Sequence, residues 1–129
     1  MKAPRTLLVV LSDIRKELEA DYLKWYDEEH IPQRLAVPGF LRAARFQAGP
    51  PVFSGSLAMP ERAPPQYLAV YEMTSPEVLA SERYRRLIAH PTERTERVRS
   101  TFELRLRASY VERFRMEARD PRVDAFRQD

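Results

Sequence analysis

Leu7, Leu8, Val9, Val10 and Leu11 make an unbroken apolar run, with Pro4 ahead of it and Ser12-Asp13 behind. A run this short predicts a buried strand over residues 5–12, and the serine-aspartate pair predicts a helix start. Beyond it Ile14, Leu18, Tyr22 and Trp25 recur at spacings of four, four and three, the period of an amphipathic helix. On a wheel of about 100° per residue, Leu18, Tyr22 and Trp25 fall within about 60° of one another, and Glu29 joins that sector. Tyr26 and His30 lie one turn apart at its edge, while Lys24 and Asp27 point away. Pro32 has no N–H and its ring meets the carbonyl of Glu28, so the helix is expected to break there.

Val37-Pro38-Gly39-Phe40 reads as the turn into a second strand over residues 40–48, with Gly39 relieving the backbone. In that strand Phe40, Ala44 and Phe46 share one parity, and Leu41, Ala43 and Arg45 the other. A Pro-rich connection fills residues 49–65, too irregular for a packed element and long enough to be either a mobile flap or a disordered hairpin loop. Residues 66–74 alternate as a third strand, placing Tyr67 and Tyr71 on one face. Ser75-Pro76-Glu77 then signals a helix N-terminus, and the apolar positions run to His90-Pro91. A short helix is expected over residues 92–100. The alternation of Phe102, Leu104, Leu106, Ala108 and Tyr110 against Glu103, Arg105, Arg107 and Ser109 predicts the fourth strand.

The order strand, helix, strand, strand, helix, strand is that of an α+β, ferredoxin-like βαββαβ domain, a four-stranded antiparallel sheet with helices on one face. It occupies residues 1–114, and residues 115–129 form a charged tail read as an arm or a disordered end. Two helices cover one sheet face only. The other carries aliphatic and aromatic side chains and predicts a homodimer through that open face.

Composition narrows the chemistry. The chain of 129 residues has no cysteine, which excludes a disulfide scaffold and thiol catalysis and suits a cytoplasmic location. Its charge of +3 is spread among alternating acids and bases, with no single-sign stripe for nucleic acid. The apolar run at the start is too short for a signal peptide or a membrane span. Two histidines in different elements support no metal site, and three scattered glycines build no phosphate loop.

The block W-Y-x-x-E-H-I-P at residues 25–32, with V-P-G-F at 37–40 and the strands that follow, resembles the EthD-like group of the dimeric α/β-barrel superfamily across residues 5–114. The resemblance implies a protomer whose sheet pairs with a second to close a barrel around a cavity. The superfamily holds cofactor-free monooxygenases, isomerases, cyclases and haem enzymes, so the fold alone selects no reaction.

Two readings stand side by side. In the first, the protein is a cofactor-independent enzyme in which His30 transfers a proton to or from an apolar or aromatic oxygenated metabolite in the barrel cavity. Tyr26 and Glu29 tune it, and Trp25, Phe40, Arg45, Tyr67 and Tyr71 line the substrate site. Arg45, Glu72, Arg105 and Arg107 have the parities to meet on a sheet face and receive an anionic or enolate-like group, or else serve as solvated ion pairs. In the second, Glu29 and His30 satisfy backbone groups at the proline break, Trp25 is core, and the dimer only binds a small ligand or a partner. A buried Glu29 needs a cation, with Arg34 or a strand arginine as the candidate.

Overall fold

The computed structural model describes residues 3–50 and 64–127. Four strands, β1 (Thr6–Ile14), β2 (Phe40–Gln47), β3 (Tyr67–Met73) and β4 (Phe102–Val111), form one antiparallel sheet in the order β2-β3-β1-β4. Helices α1 (Glu19–Trp25), α2 (Ile31–Leu35), α3 (Glu82–Ala89) and α4 (Glu93–Arg99) connect them. This is the expected ferredoxin-like α+β arrangement. Most of the Pro-rich connection, residues 51–63, lies outside the described residues.

The two faces of the sheet differ as the alternation predicts. Leu8, Val10 and Ser12 of β1 and Tyr67, Ala69, Tyr71 and Met73 of β3 are buried toward the helices. Leu7, Val9, Leu11, Val70, Leu106 and Phe46 take the opposite parity, and Leu106 and Phe46 are each 52% exposed. Two register shifts alter the simple parity at strand ends. Between Phe40 and Arg42 one extra residue, Leu41, lets Phe40 and Ala43 both face the helices, so Phe40 parts from Ala44 and Phe46. A second shift at Asp13/Ile14 turns Phe102 inward, where its ring lies 5.7 Å from Tyr22 and 6.3 Å from Trp25.

The expected break at Pro32 does not occur. Helical backbone runs on to Leu35 because residues Tyr26–His30 form a π turn, in which the Ile31 N–H donates to the Tyr26 carbonyl. Bonding five residues back adds one residue to the turn, which accommodates the donor that Pro32 lacks and the ring that would meet Glu28. The insertion also shifts the phase of everything after it. His30 therefore turns fully inward, and Glu29 leaves the buried stripe for its edge.

The second helical segment begins later than Ser75 suggests. Pro76–Ala80 is only a 3₁₀ turn, and α3 starts after Ser81, whose hydroxyl accepts from the Tyr84 N–H at 3.2 Å. Thr92 caps the short α4 in the same way. β4 and the residues after it hold to the start of the chain, and the described part of the tail contains one helical turn. The Glu112 N–H donates to the Arg5 carbonyl at 2.8 Å, and Asp120 caps a last helical turn, α5 (Pro121–Asp124).

Gly39 makes the turn before β2 possible. Its φ is +100°, its carbonyl accepts from the Thr74 N–H at 2.8 Å, and a Cβ there would lie 2.5 Å from Val78 Cγ2. Gly39→Ala is expected to lose about 3 kcal/mol of unfolding free energy, combining left-handed strain with overpacking. Urea unfolding checks it, and a loss under about 0.5 kcal/mol would contradict this role.

Candidate active site

Trp25, Tyr26 and His30 come from consecutive turns of one helical run, and packing against β3 closes them into an aromatic cluster. Trp25 and His30 stack at 4.2 Å with ring planes 25° apart, while Tyr26 meets His30 edge-on at 5.1 Å. Tyr71 reaches the other side of His30 at 6.4 Å, and Phe40 packs on Tyr71 at 6.0 Å. Each of these rings is buried. The cluster sits between the helices and the sheet, not on the open face where a two-sheet barrel would have its lumen; the expected barrel-cavity location is corrected accordingly. The cause is Tyr71, whose strand parity is that of the helix-facing residues Ala69 and Met73.

Burial decides the ionisation of these groups. His30 is pushed down to about 2, first by removal from water and then by the charges of Arg34, Arg105, Arg99 and Arg107. Burial drives the hydroxyls of Tyr26 and Tyr71 upward, so both stay neutral donors. A neutral imidazole has one N–H and one lone pair. His30 Nδ1 and the Tyr71 hydroxyl are buried without a hydrogen-bond partner among the described residues. Such groups are costly to bury unless something satisfies them.

The remaining candidates have other duties. Among the described residues Glu29 pairs with no arginine; its Oε2 accepts from the hydroxyls of Thr92 at 3.1 Å and Thr95 at 3.4 Å, and Thr95 Oγ1 in turn accepts from the Trp25 indole at 3.0 Å. This network ties the π turn to α4. Arg45 is engaged in a two-pronged pair with Asp27 at 2.9 and 2.8 Å, which joins β2 to the helical run. Glu72 pairs with Arg42 on the open face. Tyr67 is remote from His30; it packs on Tyr22 at 4.9 Å and borders a separate hollow of about 560 Å³ shared with Lys16, Glu19 and Gln66. The larger hollow, of about 770 Å³, lies under the tail around Phe114 and Arg119, and His30 borders neither.

Arg34, Tyr84 and Arg99 enter the site although their positions alone do not mark them. Arg34 follows His30 by four residues and is only 7% exposed, which the continuation of the helix through Pro32 brings about. Its guanidinium lies 5.8 Å from the centre of the Tyr84 ring, and Arg107 donates to the Tyr84 hydroxyl from the other neighbouring element. The helix layer leaves the outer part of β4 uncovered: Arg107 and Ser109 remain exposed on the face that Leu8 and Val10 bury.

Among the described residues no group of three or more His, Asp or Glu is placed to hold a metal ion, and no helix is long and apolar enough to cross a membrane.

No family model and no curated protein matches the chain. Solved structures do. A dimeric ferredoxin-like protein from an uncultured marine organism is 13% identical with a TM-score of 0.58, over 90% of this chain and 93% of that one. Two NIPSNAP family proteins from Agrobacterium tumefaciens strain C58 also align. One is 12% identical with a TM-score of 0.52, over 88% of this chain and 90% of its own. The other, described as of unknown function, is 18% identical with a TM-score of 0.53, over 88% and 92%. At these identities the likeness is one of fold.

Proposed function

We propose that the protein is a cytoplasmic homodimeric enzyme of EthD-like type that works without a cofactor. In this reading His30 moves a proton on an apolar or aromatic oxygenated metabolite, in an isomerase, cyclase, dehydratase or monooxygenase type of reaction. The observation that carries it is the buried, uncharged His30 whose Nδ1 has no partner among the described residues, beside an equally unpartnered Tyr71 hydroxyl. A substrate reaching them from the uncovered part of β4 would satisfy both, with Tyr26 as a neutral donor beside the imidazole. Trp25 holds the imidazole plane by stacking, and the Thr95–Glu29 network holds Trp25.

One observation favours the alternative, a non-catalytic dimer that binds a small ligand. In the surroundings that the protein alone supplies, His30 is a weak base. Native mass spectrometry of the purified protein separates the two readings by finding what it carries. His30→Ala is expected to lower turnover of that molecule by about 100-fold or more. Unchanged turnover removes His30 from the chemistry.

The dimer rests on the open face and on the dimeric neighbour of the same fold. Sedimentation at micromolar concentration is expected to show a dimer, and Leu106→Glu a folded monomer, since Leu106 is half exposed on that face. A wild-type monomer would overturn the assembly.

A further inference from the structure

Four arginines act on the cluster, and the charge of each bears on His30: Arg34 from α2, Arg99 from the end of α4, and Arg105 and Arg107 from β4. The two on β4 stand two residues apart on the helix-facing side, so both side chains leave the sheet in the same direction. Arg34 and Arg107 share one aromatic partner, their guanidinium carbons lying 5.8 and 5.9 Å from the centre of the Tyr84 ring. Among the described residues no carboxylate lies within ion-pair distance of any of the four, although nine other ion pairs occur elsewhere in the same residues. Arg34 is the costliest case. It is buried, and among the described residues its charge is met by the Tyr84 ring and by Tyr71 rather than by a carboxylate.

The electrostatic consequences agree with that placement. Burial and then the charges of Arg107 and Arg99 lower Arg105, while burial lowers Arg34 despite some relief from Tyr84 and Tyr71. A chain in which acids and bases are nearly balanced has four like charges acting here and, among the described residues, no counter-charge. Beside them stand two unpartnered buried polar groups, His30 Nδ1 and the Tyr71 hydroxyl.

We infer that Arg34, Arg99, Arg105 and Arg107 form the binding site for an anionic group, a carboxylate or an enolate, on the molecule that His30 acts on. The inference rests on the reading of His30 as the reactive base and supplies what that reading lacks. A bound anion cancels the cationic field that opposes protonation of the imidazole. Burial, the larger cause, still opposes protonation, so substrate binding raises the basicity of His30 in part, and one proton passes from the substrate to the imidazole and back to the substrate at another position. Arginine suits the task because its planar fork pairs with both oxygens of a carboxylate.

The probe is benzoate, with benzamide as the neutral isostere and inorganic phosphate as the competing anion, each titrated into the full-length dimer by calorimetry. Benzoate is expected to bind at least about tenfold more tightly than benzamide, and Arg105→Gln and Arg107→Gln each to weaken it about tenfold, the value of one charge-assisted hydrogen bond. Arg105→Lys should restore part of the loss. His30→Gln should leave benzoate binding intact, so a failure of the proton-transfer reading and a failure of the anion site give different results. Saturating benzoate is expected to move the histidine titration of His30, followed by side-chain NMR, upward by at least about one pH unit. Equal binding of benzoate and benzamide, an unchanged affinity in both arginine variants, or tighter binding of phosphate than of benzoate overturns the assignment.

Discussion

Acidification from pH 6 to pH 3 is expected to destabilise the wild-type protein, through His30 alone, by about 1.4 kcal/mol per pH unit. The ordinary value of a histidine is 6.5, and in the fold it is pushed down to about 2. Above the first value both folded and unfolded chains leave His30 neutral, and it contributes nothing to pH dependence. Below it the unfolded chain binds a proton that the folded chain refuses, so stability falls with pH until the folded value is reached. The groups that face His30 all act in this direction or are neutral: Arg34 on its own helical run, Arg99 from α4, Arg105 and Arg107 from β4, and the uncharged Trp25, Tyr26 and Tyr71. Urea unfolding of wild type and His30→Gln at pH 6, 5 and 4 isolates the effect. Carboxylates such as Glu112, held low by its hydrogen bond from Arg5, lose their contribution in both proteins and cancel in the difference. Parallel pH profiles would show that His30 protonates freely and that its burial is not maintained in solution.

Trp25→Ala is expected to be the most damaging single truncation, at about 3–5 kcal/mol of unfolding free energy. The indole is 1% exposed, stacks on His30 at 4.2 Å, meets Tyr26 at 5.0 Å and donates to Thr95 at 3.0 Å. Its loss opens a cavity and frees His30 from its one stacked neighbour. Trp25→Phe retains an aromatic ring but removes the indole N–H that Thr95 accepts, while the Thr95 hydroxyl keeps Glu29 and Thr92, so it should cost about 0.5–1.5 kcal/mol, the value of one hydrogen bond. Thermal or urea unfolding ranks the two. Equal stabilities of the two variants would mean that the ring's packing contributes nothing, and a Trp25→Phe variant as stable as wild type that the Thr95–Glu29 network does not hold the tryptophan.

Residue patterns alone carried much of this architecture. The run Leu7–Leu11, the alternation in residues 102–110 and the spacing of Tyr22 and Trp25 specify elements whose period matches their burial, because side-chain direction follows backbone geometry directly. The pair Tyr67 and Tyr71 was placed on one face for the same reason. Pro32 misled, since a proline ends a helix only when the turn before it keeps its normal bonding, and the π turn depends on how Tyr26 and His30 pack against the sheet. The partner of Glu29 could not be read because it comes from Thr92 and Thr95, sixty-three and sixty-six residues away in the chain. Arg45 had the right parity for a pocket, yet Asp27 stands opposite it and takes the charge.

The sequence by itself determined the order of elements, the buried and open faces of the sheet and the segment in which His30 lies, since each follows from local periodicity. Only the tertiary structure decided that burial and four arginine charges keep His30 uncharged, with no acid paired to those arginines among the described residues. Those properties depend on distance through space and on exclusion of water, and they arise when α2, α4 and β4 are brought around one imidazole.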